Sequence, residues 1–138
     1  MKNFDLPIKV EAIVYYIDDN KIRNFLALKR SLEDGGFWQP ITGTLEATDS
    51  IEDCLIREIN EEIGLTKEDI LSISDCIYNF KWNKKSIGEI YEYVFAVEVR
   101  KSSQIKLSDE HVEYKWGIKD AIRDIYEMLD NKIAMDKL

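Results

Sequence analysis

The stretch Gly43-Thr44-Leu45-Glu46-Ala47-Thr48-Asp49 runs on through Ser50-Ile51-Glu52-Asp53-Cys54-Leu55-Ile56 to Arg57-Glu58-Ile59-Asn60-Glu61-Glu62-Ile63-Gly64-Leu65. It reads as a loop, a helix and a stop. Ser50 suits the N-cap, with Asp53 three residues on in a capping-box-like position. Ile51, Leu55 and Ile59 form an apolar stripe with Cys54 beside it, and Gly64 suits the position after the last turn. Glu58, Glu61 and Glu62 fall at i, i+3 and i+4 and share one helix face. Like charges that close repel: at ~4 Å and an effective dielectric near 20, one pair costs about 4 kcal/mol before relaxation and screening. A domain has only about 5–15 kcal/mol of net stability. Hard divalent cations relieve such crowding, and oxygen ligands are what Mg²⁺ and Mn²⁺ prefer. A Glu-rich helix alone is ordinarily a solvated face. The adjoining Arg57, the upstream Gly43 and the closing Gly64 turn this one toward metal binding.

Working outward, Ile8 to Ile17 and Asn24 to Lys29 read as strands joined by a turn at Asp18 to Lys21. Ser31 to Gly36 is a loop, and Trp38 to Thr42 a short extended piece interrupted by Pro40. Leu71 to Trp82 and Ile87 to Val99 read as two long strands joined by Asn83-Lys84-Lys85-Ser86. Glu113 to Trp116 is a last short strand. Ala121, Ile122, Ile125 and Leu129 give helical spacing over Ile118 to Leu129. Strands bracketing one helix, with a second at the end, imply an α/β/α sandwich around a mixed β-sheet.

At 138 residues the chain fits a single domain with a core, residues 1–138. Its 45% hydrophobic and 33% charged residues mark it as globular rather than disordered. A net charge of −8 argues against a broad nucleic-acid surface but not against a small phosphorylated substrate, since bound cations invert the local field. No apolar run is long enough to span a membrane. Met1-Lys2-Asn3-Phe4-Asp5 lacks the apolar core of a signal peptide, so the expected location is cytoplasmic. Cys54 and Cys76 form no metal-type spacing and read as reduced core thiols. A monomer or a homodimer is expected.

The spacing from Gly43 to Leu65 resembles the signature of the Nudix hydrolases. That signature is Gly, five residues, Glu, seven residues, Arg-Glu, an aliphatic, any residue, Glu-Glu, any residue, Gly, an aliphatic. Gly43, Arg57, Glu58, Ile59, Glu61, Glu62, Gly64 and Leu65 match; Asp49 stands where the first Glu is usual. The resemblance implies the Nudix fold, which agrees with the sandwich read from periodicity. It also implies hydrolysis of a nucleoside diphosphate linked to another moiety, with Mg²⁺ or Mn²⁺ held by Glu58, Glu61, Glu62 and the Gly43 carbonyl. By the same analogy Arg57 orients a carboxylate, and Asp49 pairs with Arg57 directly or through a water.

Phe37-Trp38-Gln39-Pro40-Ile41-Thr42-Gly43 and Asp109-Glu110-His111-Val112-Glu113-Tyr114-Lys115-Trp116 resemble segments of the dihydroneopterin triphosphate and dATP pyrophosphohydrolase branch. There the acid before the His lies near the metals as base or ligand, which makes Glu110 the counterpart; a plain surface acid is the other reading. His111, without a second His or Cys nearby, reads as a brace for its loop. Trp38 either stacks on a purine or pterin ring or packs in the core. Gln39, both donor and acceptor, is expected to read a ring edge. Arg30 either clamps a terminal phosphate bidentately or is an ordinary exposed cation. The leading expectation is conversion of a (d)NTP or pterin triphosphate to monophosphate and pyrophosphate. The alternatives are a dinucleoside polyphosphate or oxidised-nucleotide hydrolase, or a non-catalytic nucleotide-binding Nudix domain.

Overall fold

The computed structural model describes residues 5–138; the signal-peptide reading falls largely on residues 1–4, outside the described residues. The central strand is β1 (Asp5–Ile17), whose side chains alternate between two buried layers. Val10, Ala12 and Val14 face one core cluster, and Ile13 and Tyr15 the other. One edge of β1 pairs in parallel with β7 (Gly88–Val99), from Ile8–Tyr91 to Tyr15–Glu98. Its other edge is shared. Near its end β1 pairs with β2 (Arg23–Arg30), and further back with β4 (Ile41–Glu46), both antiparallel. β2 leaves β1 and pairs instead with β3 (Trp38–Gln39) and β8 (His111–Gly117). The mixed sheet is therefore forked, and the fork faces the helix read from the sequence.

That helix is α1 (Ile51–Ile63). Ser50 is extended, and its hydroxyl accepts the Asp53 N–H at 3.0 Å, as the N-cap reading requires. Leu55, Ile59 and Ile63 bury its apolar stripe on the first core layer. Gly64 ends it at φ +73°, donating to the Asn60 carbonyl at 2.9 Å. The opposite layer holds α2 (Lys119–Ile125) and α3 (Leu129–Asp136), which bury Ile122, Ala134 and Met135. The result is the α/β/α sandwich expected. Among the described residues no helix is long and apolar enough to cross a membrane.

Three expectations change. The strand read over Leu71 to Trp82 is two strands, β5 (Ile70–Ile73) and β6 (Tyr78–Lys84), both antiparallel to β7. Ile73 pairs with Val97 and Tyr78 with Val94, so residues 74–77 stand opposite residues 95–96 alone and the surplus bulges outward. The bulge keeps contact through Ser74, whose N–H donates to the Ala96 carbonyl and whose hydroxyl accepts the Ala96 N–H. Second, Cys76 rides on this bulge and is exposed, unlike the buried Cys54; both thiols are free. Third, the helix read over Ile118 to Leu129 stops at Ile125 because Tyr126 turns extended to enter the core. Its ring is fully buried and its hydroxyl donates to the Leu26 carbonyl at 2.8 Å.

Gly64 generates a clear expectation for stability. A side chain there takes up a left-handed φ, and its Cβ would stand 3.0 Å from Lys106 Cβ. Gly64→Ala should lower unfolding free energy by about 1–2 kcal/mol in urea titration, through backbone strain.

Candidate active site

Gly43 of β4 lies directly under Glu58 of α1. A Cβ built on Gly43 would stand 2.1 Å from Glu58 Cγ and 2.2 Å from Cδ. Only glycine lets the helix carboxylate lie against the strand. Arg57, the preceding residue, turns the other way. Its guanidinium donates to Asp49 Oδ2 at 2.5 Å and to the Thr44 carbonyl at 3.2 Å, and stands 3.8 Å from both Glu58 Oε1 and Glu46 Oε2. Asp49 thus reaches Arg57 directly, and the shorter side chain needs no bridging water. The same Asp49 oxygen accepts the Glu46 N–H at 3.0 Å, fixing the loop that leads into α1. The Arg57 hydrogen bond, helped by the Glu46 N–H, holds the Asp49 carboxyl below its ordinary range.

The three helix carboxylates are not equivalent. Glu61 is exposed, Glu58 is partly covered, and Glu62 is 7% exposed. Glu62 turns inward: its Oε2 accepts the Ser108 hydroxyl at 3.1 Å and lies 2.8 Å from His111 Nδ1, although the ring N–H is not aligned on it. Burial pushes the Glu62 carboxyl up, but His111 and Ser108 outweigh it and hold the group below its ordinary value. His111 is therefore a brace, as read from the sequence. Its Nε2 lies 3.3 Å from Gln39 Nε2. The chain before it is tied to the end of α1, with Lys106 and Ser108 N–H groups donating to the Ile63 and Glu62 carbonyls. That tie carries Glu110 to the rim of the same cleft.

The cleft is about 330 Å³, and Glu46, Glu58, Glu61, Glu62 and Glu110 line it together with Gly43. Burial first, then Glu61, with smaller additions from Glu62 and Glu110, pushes the Glu58 carboxyl up to about 7 against the opposing pull of Arg57. Among the described residues no three His, Cys, Asp or Glu side chains converge into a ready-made metal cage. The donor set still fits a hard divalent cation: the donors are all oxygens, their mutual repulsion is visible at Glu58, and the Gly43 cradle brings strand and carboxylate together. Mg²⁺ in particular completes its shell with water and substrate phosphate.

A second cavity of about 260 Å³ adjoins the first and shares Lys9, Arg30, Gln39 and Thr42 with it. Phe37, Phe80, Trp82 and Met128 supply its apolar lining. Arg30 reaches the junction with its Nε buried and unpartnered, its guanidinium 5.6 Å from the Phe37 ring. Lys9, which the sequence reading passed over, stands at the same junction with its ammonium 5.9 Å from the Trp82 ring. Burial lowers its pKa, with Glu92 opposing. Trp38 lines neither cavity. Paired with Lys29 while Gln39 pairs with Leu28, it takes the opposite side of the strand and packs on the cluster that contains Tyr126. Its observed contacts are those of the packing reading.

The raised Glu58 has a measurable consequence. Its folded pKa of about 7 lies above the ordinary 4.5, so without metal it contributes stability at low pH that is lost as pH rises from about 4.5 through about 7. Melting temperatures of wild type and Glu58→Gln across this range in EDTA should show a decline with pH that the variant lacks. Millimolar Mg²⁺ should flatten the wild-type decline.

Residues 7–132 match the NUDIX domain. The chain is 34% identical over 116 residues to an octanoyltransferase of Myxococcus xanthus, covering 80% of this chain. It spans only 30% of the length of that protein. It is 29% identical over 117 residues to the dihydroneopterin triphosphate diphosphatase of Haemophilus influenzae, covering 78% of this chain and 71% of that one. Among solved structures, that of the E. coli dihydroneopterin triphosphate pyrophosphohydrolase superposes with a TM-score of 0.81 at 22% identity, covering 99% of this chain and 97% of that one. The last likeness carries the fold; the domain match and the signature from Gly43 to Leu65 carry the family. The chain belongs to the Nudix family of pyrophosphohydrolases.

Proposed function

We propose that the chain hydrolyses a nucleoside or pterin triphosphate to the monophosphate and pyrophosphate. The observation that carries this reading is the junction of the two cavities. A carboxylate-lined cleft suited to cations opens into an aromatic groove suited to a ring, with Arg30 and Lys9 where they meet. A triphosphate tethered to a heterocycle has the same sequence of chemistries. The names of the diphosphatase relative and of the structural neighbour support the same substrate class.

Glu58, Glu61, Glu62 and the Gly43 carbonyl would hold Mg²⁺ or Mn²⁺. Such a cation neutralises charge on phosphoryl oxygens and lowers the pKa of a bound water. The chain's own groups do the rest. Arg30 pairs with phosphate oxygens, its free Nε–H making the guanidinium available for a two-pronged contact. Gln39 stands at the wall shared by both cavities, where it can hydrogen-bond to the substrate. Water attacks one phosphorus of the anhydride, a P–O bond forms as the bridging P–O bond breaks, and the water's proton passes to a carboxylate. Glu110, at the rim and not committed to Arg57, is the proposed acceptor. Arg57, held by Asp49, orients Glu58 and does not touch substrate.

Activity should vanish in EDTA and return with Mg²⁺ or Mn²⁺, with pyrophosphate as the released product; full turnover without divalent metal would sink this reading. Glu61→Gln should lower turnover by roughly 100-fold, the upper end of what outer-shell changes at metal sites already cost. Its melting temperature in EDTA should stay level or rise, because a repulsion is removed. Glu62→Gln should differ by lowering it, since the Ser108 and His111 contacts are then made to a neutral group.

A further inference from the structure

The floor of the aromatic groove is a built polar site on the face away from α1. Asn131 of α3 lines the groove, is 6% exposed, and donates its amide to Glu11 Oε1 at 2.9 Å. Glu11 is fully buried in the middle of β1, and its Oε2 has no hydrogen-bond donor. Glu92 of β7, also lining the groove, accepts the Trp82 indole N–H at 3.1 Å. Asp130 accepts the Tyr78 hydroxyl at 2.7 Å. In each of Asn131, Glu92 and Asp130 one polar atom is committed to the protein, and the oxygen left over is an acceptor. The cations that line this groove, Lys9 and Arg30, are those it shares with the carboxylate cleft, so donors gather at the mouth and acceptors at the floor.

We propose that this floor is a ring-reading subsite in which Asn131, oriented by Glu11, and Glu92 accept hydrogen bonds from a heterocycle that presents two adjacent N–H donors. A 2-amino-4-oxo-pyrimidine edge has that pattern: a lactam N–H beside an exocyclic amine. Guanine and pterin rings carry it. Adenine places a lone pair beside its amine, and a ring without the 2-amino group has one donor fewer. An acceptor facing an acceptor leaves both unpaired in a buried site, which is where discrimination is largest. Glu11 serves the site from beneath. Burial, together with Glu92 beside it, pushes its carboxyl well above the ordinary range. Phe80 and Trp82 supply the walls on which such a ring lies.

The inference rests on the proposed triphosphate chemistry only for the direction in which the phosphates leave the groove. Its test therefore uses ligands with no anhydride to cleave: titration calorimetry of guanosine and inosine monophosphate in Mg²⁺. Wild type should bind the guanosine form roughly tenfold more tightly, the usual cost of leaving one buried hydrogen-bonding group unpaired. Asn131→Leu and Glu92→Gln should each bring the two ligands to within about twofold while phosphate affinity, read with inorganic tripolyphosphate, is kept. Melting curves identify which variants fold, and loss of the preference in a folded variant supports the assignment. Equal affinities in wild type, or a preference unchanged in every folded variant, would overturn it. Absence of triphosphate hydrolysis would count against the catalytic reading alone and leave this binding comparison standing.

Discussion

Glu58 lies in the space that a Cβ on Gly43 would fill, and the cleft is arranged around that contact. It fixes how closely α1 approaches β4. It also places a carboxylate where neighbouring strand, helix and loop all contribute negative charge. No larger residue at position 43 is compatible with it. The helix is then held from both ends of its acidic face. Arg57 ties it to Asp49 and the Thr44 carbonyl at one side, and Glu62 ties it to Ser108 and His111 at the other.

These ties divide labour among like charges. Glu62 and Asp49 have partners that favour the ionised form, and both carboxyls are held low. Glu58 has Arg57 only at 3.8 Å and is pushed up to about 7 by burial and by Glu61. The protein has thus neutralised the flanks of the cluster and left its centre short of positive charge. A divalent cation would supply what the centre lacks, and would let an anionic substrate approach a chain whose net charge is −8.

The forked sheet gives the cleft its second half. Because β1 lends one edge to both β2 and β4, the strands diverge, and Arg30, Gln39 and Lys9 reach the gap between them. On the far layer the same alternation of β1 buries Glu11 among apolar neighbours, where it meets Asn131 of α3. The acid cleft and the polar floor of the aromatic groove are consequently two products of one strand's pleat.

Local rules in the sequence determined α1, its Ser50 cap, its Gly64 stop and the cluster of Glu58, Glu61 and Glu62, because these depend on spacing within one helix and on left-handed φ at glycine. They also determined the family, through fixed offsets from Gly43 to Leu65. Tertiary structure decided the rest. Glu62 turns inward because Ser108 and His111, 46 and 49 residues away, meet it there. Trp38 packs and Gln39 lines the cleft because pairing with β2 sets which side of the strand each takes. The bulge at 74–77 follows from a count of residues opposite β7, and the end of α2 from a cavity that Tyr126 fills. Lys9, Glu11 and Asn131 escaped the sequence reading for one reason. A charged residue in an apolar strand and an amide in a short helix carry no spacing signal, and only the packing of β1 against α3 gives them a common site.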